Sequence, residues 1–444
     1  MRFSLGAGGT AAFAVLGIVR NKWLAQHLAT AGLGTLAQIL SAQNWLGQAT
    51  GLGLGLPVTR AVAAARARQD PEAERETVRT ALTMASLAVL VVAAAGFLAA
   101  PLLSRALLGT AEHARLVRIA LVGVAGIALS GSVQGLFAGH ADVRAPITLA
   151  LGGGIIATAL TLILVPRFGL PGAAWGAAVL FPAGVALARW IHRRDYGGSL
   201  PRRRVPRIDP ARARELLAVG AATLLLALTD QGALLVLRAH YVRENGVAAN
   251  GLLQAALALA QQVGALFYAY LSSYAFGTIS AAAGEARDAA AVRDYTRRQW
   301  VPLLALATLV MALAMTGATP LLRLLYSSRF DPARPLLAWT LLGEFGRVGM
   351  QVWMLGALPL GGVRLYTPIA LSYPVTLVAS YAALHAAGSG GQSLPKAYAA
   401  AGLVAFLVAG CTMSRRGVTL GARELGTTLL GGGALCALAW WALR

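Results

Sequence analysis

Apolar runs of about 20 residues, the length that crosses a hydrocarbon core of about 30 Å, recur from one end of this 444-residue chain to the other. No stretch of about 50 residues between them is polar enough for an ordinary soluble domain. Charged residues make up 12% of the chain and the mean hydropathy is +0.65. A soluble protein carries roughly twice that share of charge, about 25%. Most of the surface must therefore face lipid, and the expected fold is an all-α membrane protein. Spans are expected near 3–19, 36–57, 80–103, 117–138, 146–165, 171–190, 215–237, 247–277, 301–322, 335–358, 365–386 and 395–413. A further apolar stretch, 425–443, is a thirteenth candidate. Arg2 and the run behind it read as a retained first helix rather than a signal peptide.

The formal charge of +21 does not mark a nucleic-acid-binding protein. The basic residues sit between apolar runs and form no stripe on a folded domain. They do orient the chain, because cytoplasmic loops are enriched in Lys and Arg. With the N-terminus inside, inner segments hold 24 basic residues and outer segments 12. The loop from Arg189 to Arg214 decides that ratio with nine arginines. It also reads as a linker, which gives an N-lobe over 1–190, a basic cytoplasmic linker over 191–214, a C-lobe over 215–416 and an extra hydrophobic segment over 417–444.

The two lobes are related. At an offset of 219, Thr59 meets Thr278, Arg68 meets Arg287, Thr77 meets Thr296 and Arg79 meets Arg298. Pro101-Leu-Leu meets Pro320-Leu-Leu, and Ala114-Arg115 meets Ala333-Arg334, in the same ungapped register. Six spans separate the copies, so both have the same orientation. Parallel repeats of this kind are a transporter plan, with the substrate site expected between two pseudo-symmetric six-helix lobes.

Polar side chains inside spans should face the bundle or a wet cavity, since an unpaired polar group in hydrocarbon costs several kcal/mol. In the eighth span Asn250, Gln254, Gln261, Tyr268 and Ser272 step by four or seven residues. They fall within about 40° of one another on a stripe about 33 Å long. In the equivalent second span Gln38, Ser41, Asn44 and Gln48 share one face, with Gln43 on another. Two such stripes suit a central hydrophilic path; helix–helix glue needs only one or two polar residues. Intramembrane charges are rarer. Glu344 and Arg347 lie three apart and can pair, either as a structural ion pair or as a gate. Asp230 reads as a structural acid or a coupling-ion site. Arg20 with Lys22, and Arg238 with His240, end the first and seventh spans. They either snorkel to the interface or clamp a diphosphate.

Several classes are excluded by what is absent. No phosphate-binding Gly-x-x-x-x-Gly-Lys-Ser/Thr loop exists, nor a His-Glu-x-x-His or Gly-x-Ser-x-Gly motif. The segment Thr59-Arg60-Ala61-Val62-Ala63 lacks the Asp-Arg-x-Gly-Arg signature of major-facilitator transporters. Cys411 and Cys436 lie in apolar segments without metal-ligand spacing. No disulfide, metal or cofactor is expected, and no catalytic residues.

The run Leu322-Arg-Leu-Leu-Tyr-Ser-Ser-Arg-Phe-Asp331, followed by Leu337-Ala-Trp-Thr-Leu-Leu-Gly-Glu-Phe-Gly-Arg-Val-Gly349, resembles the Wzx-type oligosaccharide-lipid flippases. The likeness includes an acidic residue at Glu344 and a basic one at Arg347. Asn21-Lys-Trp-Leu-Ala25, Ala31-Gly-Leu-Gly34, Gly55 with Thr59-Arg60, and Arg238 fit the same family, over roughly residues 1–416. These flippases belong to the MOP superfamily, with the multidrug and toxin extrusion (MATE) antiporters. The resemblance implies twelve helices in two lobes, a central cationic cavity and alternating access. It implies an undecaprenyl-pyrophosphate-linked oligosaccharide, such as an O-antigen repeat unit of lipopolysaccharide, as cargo. The chain would sit in the bacterial inner membrane among its lipids, beside a polysaccharide polymerase and a chain-length regulator. Two departures stand out: Gln261 replaces an acid, and 425–443 exceeds the usual end.

On this reading Arg20, Lys22 and Arg238 bind the diphosphate. Gln38, Asn44, Gln48, Asn250, Gln254, Gln261 and Tyr268 line the sugar path, and Asp230, Glu344 and Arg347 gate or couple. Two alternatives stay open: a MATE-like cation-coupled antiporter of drugs or other small molecules, and a membrane polysaccharide polymerase or ligase.

Overall fold

A computed structural model describes residues 2–142, 144–191, 208–283 and 288–442, with side chains from residue 15 onward except at 222, 223, 273 and 282. Most of the basic linker, 192–207, and Arg287 of the repeat lie outside the described residues. Every long element is helical. In order they are α1 (Arg2–Thr50), α2 (Gly55–Ala67), α3 (Pro71–Leu108), α4 (Ala114–Gly139), α5 (Arg144–Phe168), α6 (Leu170–Ala178) and α7 (Leu180–Ile191). There follow α8 (Pro210–Tyr270), α9 (Phe276–Ala283), α10 (Ala289–Thr316), α11 (Ala318–Leu325), α12 (Arg334–Ala386), α13 (Ser393–Ser414) and α14 (Ala422–Ala442). Among the described residues nine helical stretches are long and apolar enough to cross a membrane. Large apolar side chains on α3, Leu87, Leu90, Val91, Phe97, Leu98 and Leu102, point away from the protein. A contiguous exposed face of that kind belongs in lipid. The chain is a multi-pass membrane protein.

Three of the longest helices are each two spans joined at one residue outside the helical region. Ala29 (φ 53°) breaks α1, Gly246 (φ 81°) breaks α8 and Gly362 (φ 59°) breaks α12. Left-handed backbone turns the chain without a long loop, and glycine adopts it at no steric cost. The breaks follow the internal repeat. Ala29 and Gly246 are 217 residues apart, and the left-handed Ala141 between α4 and α5 is 221 from Gly362. Both bracket the sequence offset of 219.

The caps repeat as well. Asp70 Oδ1 accepts from the Ala73 amide (2.9 Å) at the start of α3, where Pro71 occupies the first turn. Asp288 Oδ1 accepts from the Ala290 amide (2.8 Å) at the start of α10. Each cap satisfies an amide the helix cannot. Asp70→Ala or Asp288→Ala is expected to destabilise by about 1 kcal/mol. The check is the unfolding temperature of the detergent-solubilised protein, and asparagine in either place should restore it.

Several sequence-based span boundaries need correction, among them that of the ninth span, which begins at Ala289 rather than 301, behind the Asp288 cap. The second span ends at Thr50 rather than 57, because Leu52 (φ 54°) and Gly53 (φ 65°) are both left-handed. The residues beyond form the separate helix α2. The third begins at Pro71 rather than 80, started by the Asp70 cap. The 425–443 segment is a full helix, α14, packed on α10 and α12. Trp300 Nε1 of α10 donates to Thr428 Oγ1 of α14 (3.0 Å).

The chain divides into two compact units, Met1–Leu235 and Val236–Arg444. The core of the first is built from α2, α3, α4 and α5 with the start of α8, around Val58, Val78, Leu136, Phe137 and Leu216. Arg212 ties α8 to α3 there, donating to the Ala73 carbonyl (2.8 Å) and pairing with Glu76 (2.8 Å). In the second unit α12 and α13 pack face to face.

Candidate functional site

In the first unit the polar face of α1 docks on α8. Gln38 Nε2 donates to the Leu235 carbonyl (3.3 Å) and Trp45 Nε1 to the Leu228 carbonyl (3.0 Å). Both pairs are seven residues apart on both helices, so the contact repeats over two antiparallel turns. Gln48 Nε2 donates to Gln231 Oε1 (2.9 Å). Gln38 is fully buried, Gln48 half-buried and Asn44 exposed. The polar stripe thus divides: Gln38 is helix–helix glue in this conformation, whereas Asn44 stays open. Gln43 is buried beside an apolar pocket of about 110 Å³ lined by Ile39, Leu103, Leu121 and Leu235. Arg20 and Lys22 lie half-buried in the first part of α1, and Asp230 is half-buried in α8.

In the second unit Arg238 is 3% exposed and its Nε donates to Asn250 Oδ1 (3.1 Å). The two residues flank Gly246, so their side chains clasp the break in α8. Further along that face Gln254 is half-buried, and Gln261 and Ser272 are exposed. Gln38, Arg238 and Asn250 are therefore enclosed in this conformation, unlike the water-lining groups the stripe suggests. The face itself ends in a π-helical segment, Leu271–Ala275, before α9. Such bulges arise where the regular ladder is locally reset.

The most developed polar cluster surrounds Glu344, which is fully buried in α12. Tyr268 of α8 and Tyr398 of α13 both donate to its carboxyl, at 2.5 and 2.6 Å. Arg347 Nη1 donates to the Tyr398 hydroxyl (3.1 Å), so that phenol bridges the acid and the cation. The Arg347 guanidinium also stacks over the Tyr373 ring, 4.3 Å from its centroid. Cation–ring contacts of this kind add to the hold on a half-buried arginine. Gly264 makes room for the carboxyl, since a Cβ there would collide with Glu344 Oε1. Three helices thus meet on one carboxyl.

The sequence placed Glu344 and Arg347 on one face and Tyr268 on a separate span, and the fold brings all three together. Tyr398, Tyr373, Gly264, Gln231 and Trp45 are partners that sequence reasoning missed. A tyrosine in an apolar run reads as core, and nothing local says which carboxyl its hydroxyl will meet.

Broken spans, a buried charge cluster and polar faces within the spans define the class: a multi-pass membrane protein with the fold of MOP-superfamily transporters. Two solved structures share that fold. A multidrug-resistance MATE family transporter in an inward-facing conformation superposes with a TM-score of 0.76 at 16% identity, covering 91% of this chain and 94% of its own. The lipid II flippase MurJ in an inward closed conformation gives 0.73 at 12% identity, covering 99% and 95%. The chain belongs to the polysaccharide biosynthesis protein family, whose profile matches residues 7–231. It is also 25% identical over 396 residues to the lipid III flippase of Escherichia coli (strain K12), covering 88% of this chain and 92% of that protein.

Proposed function

We propose that this protein turns an undecaprenyl-pyrophosphate-linked oligosaccharide, an O-antigen or related repeat unit, from the cytoplasmic to the periplasmic leaflet by alternating access. It would do so in the bacterial inner membrane with its N-terminus in the cytoplasm, as a transporter rather than an enzyme. The observation that carries this reading is the near full-length likeness to a lipid III flippase, in a chain whose spans hold both amides and a buried Glu344–Arg347 cluster. Moving several sugars and a diphosphate through bare hydrocarbon would cost on the order of tens of kcal/mol. A flippase must therefore offer the head group polar partners while the polyprenyl tail stays in lipid.

The roles follow the chemistry. Arg20, Lys22 and Arg238 pair with the diphosphate, because guanidinium forks match phosphate oxygens. Asn44, Gln48, Gln254, Gln261 and Tyr268 meet the sugar hydroxyls, joined by Gln38 and Asn250 when their helix contacts open. Glu344 and Arg347 hold α8, α12 and α13 in one packing and release them in the other; Asp230 supplies a further carboxyl group for gating or ion coupling. A polymerase and a chain-length regulator would take the product.

The test is flipping by the purified chain. Vesicles loaded with a short polyprenyl-pyrophosphate saccharide are probed with a lectin or glycosidase confined to one side. Accessible saccharide should rise with protein content. Unchanged accessibility would sink the reading. Drug resistance on expression, with normal surface glycan, would favour the antiporter, and chain lengthening in the same vesicles would favour a polymerase.

A further inference from the structure

Outside the Glu344 cluster, the second unit holds a set of side chains the proposed transport does not use. Among the described residues one group brings three metal-ligating side chains together: His240, Glu244 and His385. We propose that these three bind one divalent transition-metal ion of the zinc class.

Each helix contributes a pair at the spacing that puts two side chains on one face. His240 and Glu244 are four apart on α8, just before the Gly246 break. Tyr381 and His385 are four apart in the last turns of α12. The ligating atoms of the three lie within 4.8 Å of one another. His385 Nε2 is 3.3 Å from Glu244 Oε1, and His240 Nδ1 is 3.7 Å from Glu244 Oε2. A tetrahedral zinc ion with bonds of about 2.0–2.1 Å has ligand–ligand edges of about 3.3 Å. The distance from His385 to one Glu244 oxygen already has that length, and the distance from His240 to the other oxygen exceeds it. All three side chains are exposed, so small rotations close the remaining gap and leave the fourth position to water. Two imidazoles with one carboxylate is a common zinc donor set, and imidazole selects zinc, copper and nickel over magnesium or calcium.

The surroundings supply an outer partner. Tyr381 Oη lies 2.9 Å from His240 Nδ1, and the Tyr381 and His385 rings stack with an interplanar angle of 8°. When Nδ1 turns to a metal, the phenol is free to donate to the carboxylate, the kind of second contact that orients ligands in zinc sites. A bound ion would pin the end of the first half of α8 to the end of α12, beside the break clasped by Arg238 and Asn250.

The experiment uses the full chain, without a histidine tag, stripped with chelator in detergent and titrated with zinc alone against a chromogenic competitor. One zinc per chain is expected. His385→Ala and Glu244→Gln should each weaken binding at least about tenfold, while His27→Ala, an exposed histidine elsewhere, changes nothing. No saturable zinc binding, or unchanged affinity in His385→Ala, overturns the site. A second reading needs no variant. Zinc should shield His240 and His385 of the unaltered chain from carbethoxylation by diethyl pyrocarbonate, read by peptide mass spectrometry. Equal modification with and without zinc overturns the site as well.

Discussion

Glu344→Ala is expected to destabilise the protein by about 3–5 kcal/mol and to abolish surface glycan, because it removes the acid from a buried cluster and leaves the cation behind. Glu344 is fully buried, accepts from Tyr268 and Tyr398, and is joined to Arg347 through the Tyr398 hydroxyl. The cost should fall unequally over the cluster. Ordinary hydrogen bonds between membrane helices are worth about 0.6 kcal/mol on average, so Tyr268→Phe should be mild. Tyr398→Phe should cost more, since it cuts the bridge to Arg347. Gly264→Ala should resemble a weak Glu344 variant, because its Cβ drives into the carboxyl. Unfolding temperature and glycan gels, read together, separate packing from gating. Glu344→Gln keeps the shape and an acceptor. If it unfolds like the parent but transports nothing, the acid acts in the conformational cycle. Were Glu344→Ala as stable and as active as the parent, the cluster would have no part in either.

The architecture was largely legible from residue pattern, and the reason is physical. Lipid forces each span to satisfy its own backbone, so about 20 apolar residues can be read as a helix wherever they occur. The repeat was legible too, through rare Pro, Thr and Arg matches such as Thr77 with Thr296, both buried in the structure. The capping aspartates escaped notice because Asp70 and Asp288 are 218 apart, one step off the main register. The breaks were harder. Gly246 and Gly362 are two glycines among 51, and only the fold says which are left-handed. Polar periodicity placed Gln38, Asn44 and Gln48 on one side of α1 but could not say what lies opposite each. Opposite Gln38 stands the Leu235 carbonyl, in a buried contact. The same limit hid the Glu344 cluster, whose phenols come from helices 76 residues before and 54 after it. It also hid the His385 partner of His240.

The second large effect is expected at Arg238, and it can be assigned to substrate or to structure by comparing two substitutions. Arg238 donates to Asn250 across the Gly246 break, so Arg238→Ala removes both a cation and a clasp. A hydrogen bond between a charged and a neutral group is worth about 1.5–3 kcal/mol. Each 1.4 kcal/mol is a factor of about ten, so flipping should fall about ten- to a hundredfold if that cost lies in the transport step. Asn250→Ala removes the clasp and keeps the guanidinium. If Arg238 binds the diphosphate, Asn250→Ala should lose less than about tenfold, and Arg238→Lys should keep part of the activity as a point charge without the fork. Arg238→Glu, which sets an acid against the phosphates, should leave no surface glycan at unchanged protein level. The opposite pattern is equally readable. If Asn250→Ala matches Arg238→Ala and the double variant is no worse than either, the two residues act only as a unit. The cation would then hold the bend in α8, and the diphosphate would have to be met by Arg20 and Lys22.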